Sequence, residues 1–253
     1  MFSAKEVDNQ MAMKAVIDLV LLGILIVCVW GGYKKGIIMG VGGILCIIVA
    51  VYGANLLANS FSYDVVPALK PFANGYTETM MNGSDSVVMK RMGWDGTTYR
   101  AEDLVEMYPN RRLEFCSTCY QVLGFDENLS DRMAEKAVTY ARESGVGIRA
   151  AVGQILCETV SYAACFLVAF LLIEIILTVI GNLPNLSYKL PRLDILNDIV
   201  GALLGLVTGL MFCAILVWAL RFMGKLIGTD TLSATRIGGW LLKQGYLTKY
   251  IGI

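Results

Sequence analysis

One apolar segment near the end of the chain, residues 196–222, reads LNDIVGALLGLVTGLMFCAILVWALRF. A helix needs about 20 mostly apolar residues to cross the roughly 30 Å hydrocarbon core of a bilayer. This segment is long enough, and its two charged residues, Asp198 and Arg221, stand near its ends. We therefore expect a transmembrane helix here.

Small residues recur at every fourth position of this segment. Gly201, Gly205 and Gly209 form two overlapping GxxxG patterns, with Asn197 before them and Cys213 after them. Positions four apart lie on one side of a helix. Lipid gives helices no hydrophobic reason to associate, whereas small residues let two backbones approach closely. The pattern predicts a helix-packing face.

Three further segments have the length and composition of membrane spans: residues 15–33, 36–57 and 159–181. Only Lys34 and Lys35 separate the first two, which predicts a tight hairpin with the lysines at its tip. The segment 36–57 carries a second stripe of small residues, which begins with Gly36, Gly40 and Gly43.

Four spans predict an all-α, polytopic membrane helix bundle with a mostly helical insert. Pro184 and Pro191 lie between the last two spans and favour a break between helices. The chain divides into four parts: an N-terminal segment with the hairpin (1–57), an extramembrane insert (58–150), a second transmembrane pair (151–224) and an interfacial amphipathic tail (225–253).

The insert carries 10 basic and 13 acidic residues, and we expect its short helices to lie near the membrane surface. Ser130 is predicted to cap one helix start, and this helix could continue into the third span unless Gly145 and Gly147 kink it. In the tail, the apolar positions cluster on one helical face with Trp240 and Lys243 at its margins, which is typical of an interfacial helix.

The composition excludes several functions. The 253 residues are 56% hydrophobic and 17% charged, with a mean hydropathy of +0.61. Basic and acidic residues both number 21, so the basic excess of a nucleic-acid-binding protein is missing. The sequence has no histidine, which rules out Ser–His and Cys–His pairs and HExxH zinc sites. We expect no catalytic, cofactor or metal site and no enzymatic activity.

Two acidic residues fall within the spans, where an ionised side chain is costly. Asp18 either starts the first helix, where the helix dipole favours a carboxylate, or serves a function. Glu174 lies deeper, and is either a neutral, hydrogen-bonded acid or faces another helix, a cavity or a second subunit.

Cys116 and Cys119 form the sharpest motif of the insert. A thioredoxin-like redox pair needs a βαβ context, and a zinc site needs four ligands; the sequence offers neither. A disulfide or a pair of buried thiols is the remaining interpretation.

The positions of basic residues bear on orientation. Lys34 and Lys35 occupy one short loop, and Lys189 and Arg192 the other. Cytoplasmic loops are enriched in Lys and Arg, so we expect these loops inside, and both termini and the insert outside.

The spans resemble the colicin V production protein (CvpA) family of bacterial membrane proteins. That family's first hairpin has an Asp at the start of span one and a basic residue plus Gly at the tip, matched by Asp18, Lys35 and Gly36. The three glycines of its last span are matched by Gly201, Gly205 and Gly209, and a later Ser corresponds loosely to Ser233. The chain departs from the family in having Thr208 before the last glycine, where a basic residue is common, and in its long insert.

The resemblance implies a multipass protein of the bacterial cytoplasmic membrane, linked to toxin production or export, and it supplies no catalytic residues. We therefore expect a non-enzymatic protein that serves as a scaffold for, or assists, export or an envelope process. It would be embedded in the lipid bilayer, and its partner would be a second copy of the chain or another membrane protein. The alternatives are a small channel or transporter that uses Glu174 or Asp18, and a redox protein built on Cys116 and Cys119.

Overall fold

The computed structural model describes residues 4–82, 86–182, 194–222 and 232–244. Every regular element in these ranges is helical and none is a strand, which confirms the all-α class. In chain order the helices are α1 (Ala4–Asn82), α2 (Val87–Arg91), α3 (Ala101–Met107), a 3₁₀ turn (Pro109–Arg111), α4 (Arg112–Val122), α5 (Glu127–Ser144), α6 (Ile148–Asn182), α7 (Asp194–Leu220) and α8 (Arg236–Gln244).

Three of the described helices are long and apolar enough to cross a membrane. They are α1 over Ala12–Asn82, α6 over Ile148–Gly181 and α7 over Ile195–Leu220. The sequence predicts four spans, and the difference lies in α1, because the predicted spans 15–33 and 36–57 both fall within this one helix.

Gly36 interrupts α1 with a φ of 75° and a ψ of −170°, the one residue between the ends of this helix with non-helical angles. Glycine adopts a positive φ readily because it has no Cβ atom. We call residues 4–35 the first arm and residues 37–82 the second arm. In the first arm Gly32 lies against Gly201, whereas the earlier residue Leu21 lies against the later residue Cys213. The first arm is therefore antiparallel to α7.

The second arm runs the other way along α7. Gly40 lies against Leu204, and the later residue Gly43 lies beside the later residue Thr208. The direction of the chain thus reverses at Gly36, and the hairpin that the sequence predicts is made without a loop.

The second arm continues far beyond residue 57, where the sequence ends the second span. It passes through Pro67 and Pro71 to Asn82, although a proline inside a helix removes a hydrogen bond and clashes with the preceding turn. Its buried side chains keep a helical spacing across the prolines, which indicates that packing sustains the helix there: Ala58, Ser62, Val66, Thr77 and Met81.

The described chain packs as two units. The membrane unit contains residues 4–58, 165–182, 194–220 and 232–244. The insert unit contains residues 59–82, 86–164 and 221–222.

The insert unit has a hydrophobic core of its own, built largely by α4 and α5. Phe115 and Tyr120 from α4 and Met133 from α5 are among its fully buried side chains. The Tyr120 hydroxyl donates a 3.0 Å hydrogen bond to the carbonyl oxygen of Val152 in α6. Satisfying this hydroxyl avoids the cost of a buried, unpaired polar group.

The predicted helix start at Ser130 is wrong. Asp126 is the cap of α5, since its side chain accepts a 3.1 Å hydrogen bond from the backbone N–H of Leu129. Ser130 lies one turn later and is fully buried. The helix also does not continue into α6, because Gly145 ends it in the left-handed conformation, with a φ of 66°.

In the tail, α8 is a helix and lies in the segment where the sequence predicts an amphipathic helix. The linker with Pro184 and Pro191, and with Lys189 and Arg192, lies outside the described residues.

Candidate functional site

Two glycines of α7 bring its backbone against the backbone of the first arm. A Cβ atom added to Gly201 would meet the carbonyl oxygen of Gly32, and one added to Gly205 would meet that of Cys28. In return, a Cβ atom on Gly32 would lie 2.8 Å from the Cα atom of Gly205. Such distances are closer than any side chain tolerates, so this contact requires glycine on both helices.

At Gly209, Gly40 and Gly43 an added Cβ atom would first meet a side chain and not the backbone of another helix. Cβ atoms added to Gly209 and Gly40 would lie 3.1 Å and 2.8 Å from the nearest side-chain atom. At Gly43 the nearest atom is Thr208 Oγ1, at an ordinary contact distance of 3.8 Å. These differences rank the glycines, with Gly201 and Gly205 the least replaceable.

Asn197 of α7 packs against Gly36, where the direction of the chain reverses. Its side chain is 2% exposed and fills the space where a Cβ atom of Gly36 would stand. Its Oδ1 accepts a 3.1 Å hydrogen bond from the backbone N–H of Ile37. The N–H groups at a helix start lack intrahelical acceptors, so Asn197 caps the second arm. Sequence reasoning placed Asn197 in the small-residue stripe but missed this role, which an amide in line with glycines could have suggested.

Asp18 joins the first arm to the tail. It lies well inside α1, which begins at Ala4, so the interpretation as the start of the first helix is wrong. Its two carboxylate oxygens accept hydrogen bonds from the backbone N–H groups of Arg236, at 3.1 Å, and Ile237, at 3.3 Å. Asp18 therefore caps the start of α8.

Replacing Asp18 with alanine should loosen α8. Loss of a helix cap costs about 1 kcal/mol, so the amides of Arg236 and Ile237 should exchange their hydrogens about fivefold faster. Hydrogen–deuterium exchange in detergent measures this rate. Asp18→Asn retains one acceptor oxygen and should show a smaller change, whereas equal protection in all three proteins would contradict the capping role.

Glu174 presents an unpaired oxygen inside the membrane unit. Its Oε2 is buried and has no hydrogen-bond partner among the described residues, so the hydrogen-bonded alternative finds no support at this atom. The neighbouring Ile173 lies against the second arm, since a Cβ atom on Gly53 would be 2.9 Å from Ile173 Cδ1. Of the two acids expected within the spans, Glu174 is the one that keeps a carboxylate oxygen without a hydrogen-bond partner among the described residues.

Cys116 and Cys119 are free thiols, and both are fully buried in the insert unit. The sequence left open a disulfide or a pair of buried thiols, and the structure contains the pair of buried thiols. Burial raises the pKa of Cys116 to about 12 and that of Cys119 well above its usual range. Both are thus neutral at physiological pH, and a neutral thiol is a poor nucleophile and metal ligand. Within the described ranges no group of three or more His, Cys, Asp or Glu could hold a metal ion.

These features define a class: a multipass helical membrane protein whose helices meet through glycine. Residues 129–242 match the family model described as Colicin V production protein. This match confirms, over this stretch of the chain, the family that the sequence resembles.

The match contains the glycine triplet of α7 and Ser233, whereas Asp18, Lys35 and Gly36 precede it. The comparison with curated proteins found no match, and neither did the comparison with solved structures.

Proposed function

We propose that the chain is a four-span, non-enzymatic protein of the bacterial cytoplasmic membrane that assists bacteriocin export or a related envelope process as a scaffold. The family match supports a role in bacteriocin production. The backbone contact of Gly205 with Cys28 carries the scaffold proposal, because such contacts hold helices in one fixed arrangement.

The experiment is complementation in a bacteriocin-producing strain that lacks the chain. Wild type and Gly31→Leu should restore secreted toxin activity against a sensitive strain, whereas Gly205→Leu should not. Gly31 is the matched control because a Cβ atom there would meet nothing within 4 Å. Full secretion by the strain without the chain would refute the proposal.

The partners we propose are lipid and a second membrane helix, from another copy of the chain or from an export protein. Large apolar side chains along α6 are more than half exposed, which supports a hydrophobic surrounding: Val168, Leu171, Leu172, Ile175, Ile176 and Val179.

Four spans are supported by the reversal of α1. The two arms lie along α7 in opposite directions, and each is longer than the about 20 residues that one crossing needs. In this topology the Lys34–Lys35 tip faces the cytoplasm, and both termini and the insert lie outside.

Single cysteines introduced at the exposed positions Lys35 and Tyr99 test this topology. A membrane-impermeant maleimide should label Tyr99→Cys in intact cells and Lys35→Cys only in inverted vesicles. The native Cys116 is unsuitable as a probe because it is buried. Labelling of both positions from one side would contradict four spans, and the reverse pattern would contradict the orientation.

A small channel or transporter is the second candidate, favoured by the unpaired Oε2 of Glu174. Asp18 fits this function less well because its carboxylate caps α8. Under this candidate Glu174→Gln abolishes proton or cation flux into liposomes while the protein level stays unchanged. Equal loss of folded protein and flux would indicate a structural role instead.

A further inference from the structure

A cavity of about 410 Å³ opens in the insert unit beside the start of α6. Three helices each contribute one arginine to its lining: Arg112 from α4, Arg142 from α5 and Arg149 from α6. Apolar side chains form another part of its wall, among them Val105, Val138 and Val146. We call this cavity the arginine groove.

Salt bridges occupy one of the three arginines. Arg149 pairs with Glu102 at 2.7 Å and with Glu78 at 3.3 Å, which fixes its guanidinium group in the wall. Arg112 and Arg142 are exposed and form neither an ion pair nor a hydrogen bond within the described ranges. The groove therefore presents two guanidinium groups that form no salt bridge within the described part of the chain.

One acidic side chain of the groove has no basic partner in the described part of the chain. Glu106 lines the groove and is exposed. The lining carries three arginines against two glutamates, a net charge of +1, and Glu78, which lies outside the lining, is shared between Arg149 and Arg100. The electrostatic preference of the groove is therefore for an anion.

We propose that the arginine groove binds a phosphate group that carries an apolar substituent. Guanidinium groups present planar forks of N–H donors that match phosphate oxygens, and the valines suit a hydrocarbon portion of the ligand. Two sources supply this chemistry at the end of a membrane-spanning helix: the headgroup of an anionic phospholipid and a soluble phosphate ester. The inference is independent of the proposed scaffold function.

Native mass spectrometry of the full chain in detergent tests the proposal with two probes, short-chain phosphatidylglycerol and glycerol phosphate. One cationic side chain near an anionic headgroup contributes about 1 kcal/mol, or about fivefold in affinity. Arg112→Gln and Arg142→Gln should therefore each weaken binding about fivefold, and the double variant about 25-fold. Glu106→Gln should strengthen binding by a similar factor, a gain that damage to the fold would not produce.

Arg132→Gln is the matched control. Arg132 lies on α5 like Arg142 but outside the groove, and its guanidinium donates to the carbonyl oxygen of Asn128. This variant should bind both probes as the wild type does, and circular dichroism verifies that every variant keeps its helical content.

The two probes distinguish the sources. Binding of phosphatidylglycerol without competition from glycerol phosphate identifies a lipid headgroup, whereas effective competition identifies a soluble phosphate ester. The proposal is overturned if neither probe binds, or if the double variant binds as tightly as Arg132→Gln.

Discussion

Gly205→Leu will lower the stability of the membrane unit by about 3 kcal/mol, the upper end of the usual cost of overpacking. The Cβ atom alone meets the carbonyl oxygen of Cys28, so backbone, rather than a flexible side chain, has to move. The loss corresponds to a decrease of about 10 °C in the melting temperature for a chain of this size. Circular dichroism during heating in detergent measures it, and cross-linking shows whether the native assembly persists.

Two other glycines provide controls for this result. A Cβ atom on Gly31 meets nothing within 4 Å, and one on Gly43 meets Thr208 at an ordinary distance. Gly31→Leu and Gly43→Ala should therefore stay within about 0.5 kcal/mol of the wild type. If Gly205→Leu melts with these controls and cross-links as the wild type does, the close contact of α7 with the first arm is not what holds the unit together.

The glycine spacing predicted the packing face of α7 but not its nearest partner. A repeat of four is visible in the sequence of one helix, because it follows from helical geometry alone. Cys28 and Gly32, which meet α7 most closely, also stand four apart and lie in line with Gly36 and Gly40, but this repeat crosses the predicted tip of the hairpin and was not recognised as one packing face. Which face of one helix meets another depends on tertiary structure, so the sequence offered candidates without their pairing.

Helix ends were predicted less well than helices, for a related reason. The segment around residues 126–131 contains two possible caps, Asp126 and Ser130, and local preference scarcely separates them. The structure selects Asp126, whose carboxylate also binds a residue distant in the sequence. Similarly, Pro67 and Pro71 favour a helix end by local rules, and buried contacts override them.

The partner of Asp126 is Arg221, at the end of the last predicted span. The Arg221 Nε and Nη2 atoms donate to Asp126 Oδ2 at 2.9 Å and 2.6 Å. Arg221 is 6% exposed, and the Asp126 side chain is 28% exposed. One carboxylate thus has two tasks, since its other oxygen caps α5.

Asp126→Ala should destabilise the insert unit by about 3 kcal/mol. Removing one partner of a buried ion pair costs about 3–5 kcal/mol because the other charge stays buried and unpaired. Because the Asp126 side chain is 28% exposed to water, we reduce the ion-pair part to about 2 kcal/mol. The lost cap adds about 1 kcal/mol, which gives a total of about 3 kcal/mol. Denaturant unfolding in detergent, followed by circular dichroism, measures the change.

Three variants separate the two tasks of this carboxylate. Asp126→Ser retains a capping oxygen and loses the ion pair, so it should be more stable than Asp126→Ala by about 1 kcal/mol. Asp126→Ser combined with Arg221→Met also removes the buried charge and should regain most of the remaining loss, because an apolar replacement for an ion pair is often neutral. If the double variant is no more stable than Asp126→Ser alone, the unpaired Arg221 charge is not the source of the cost. The cap would then be the main contribution of Asp126, and α5 would fold independently of the residue that follows α7.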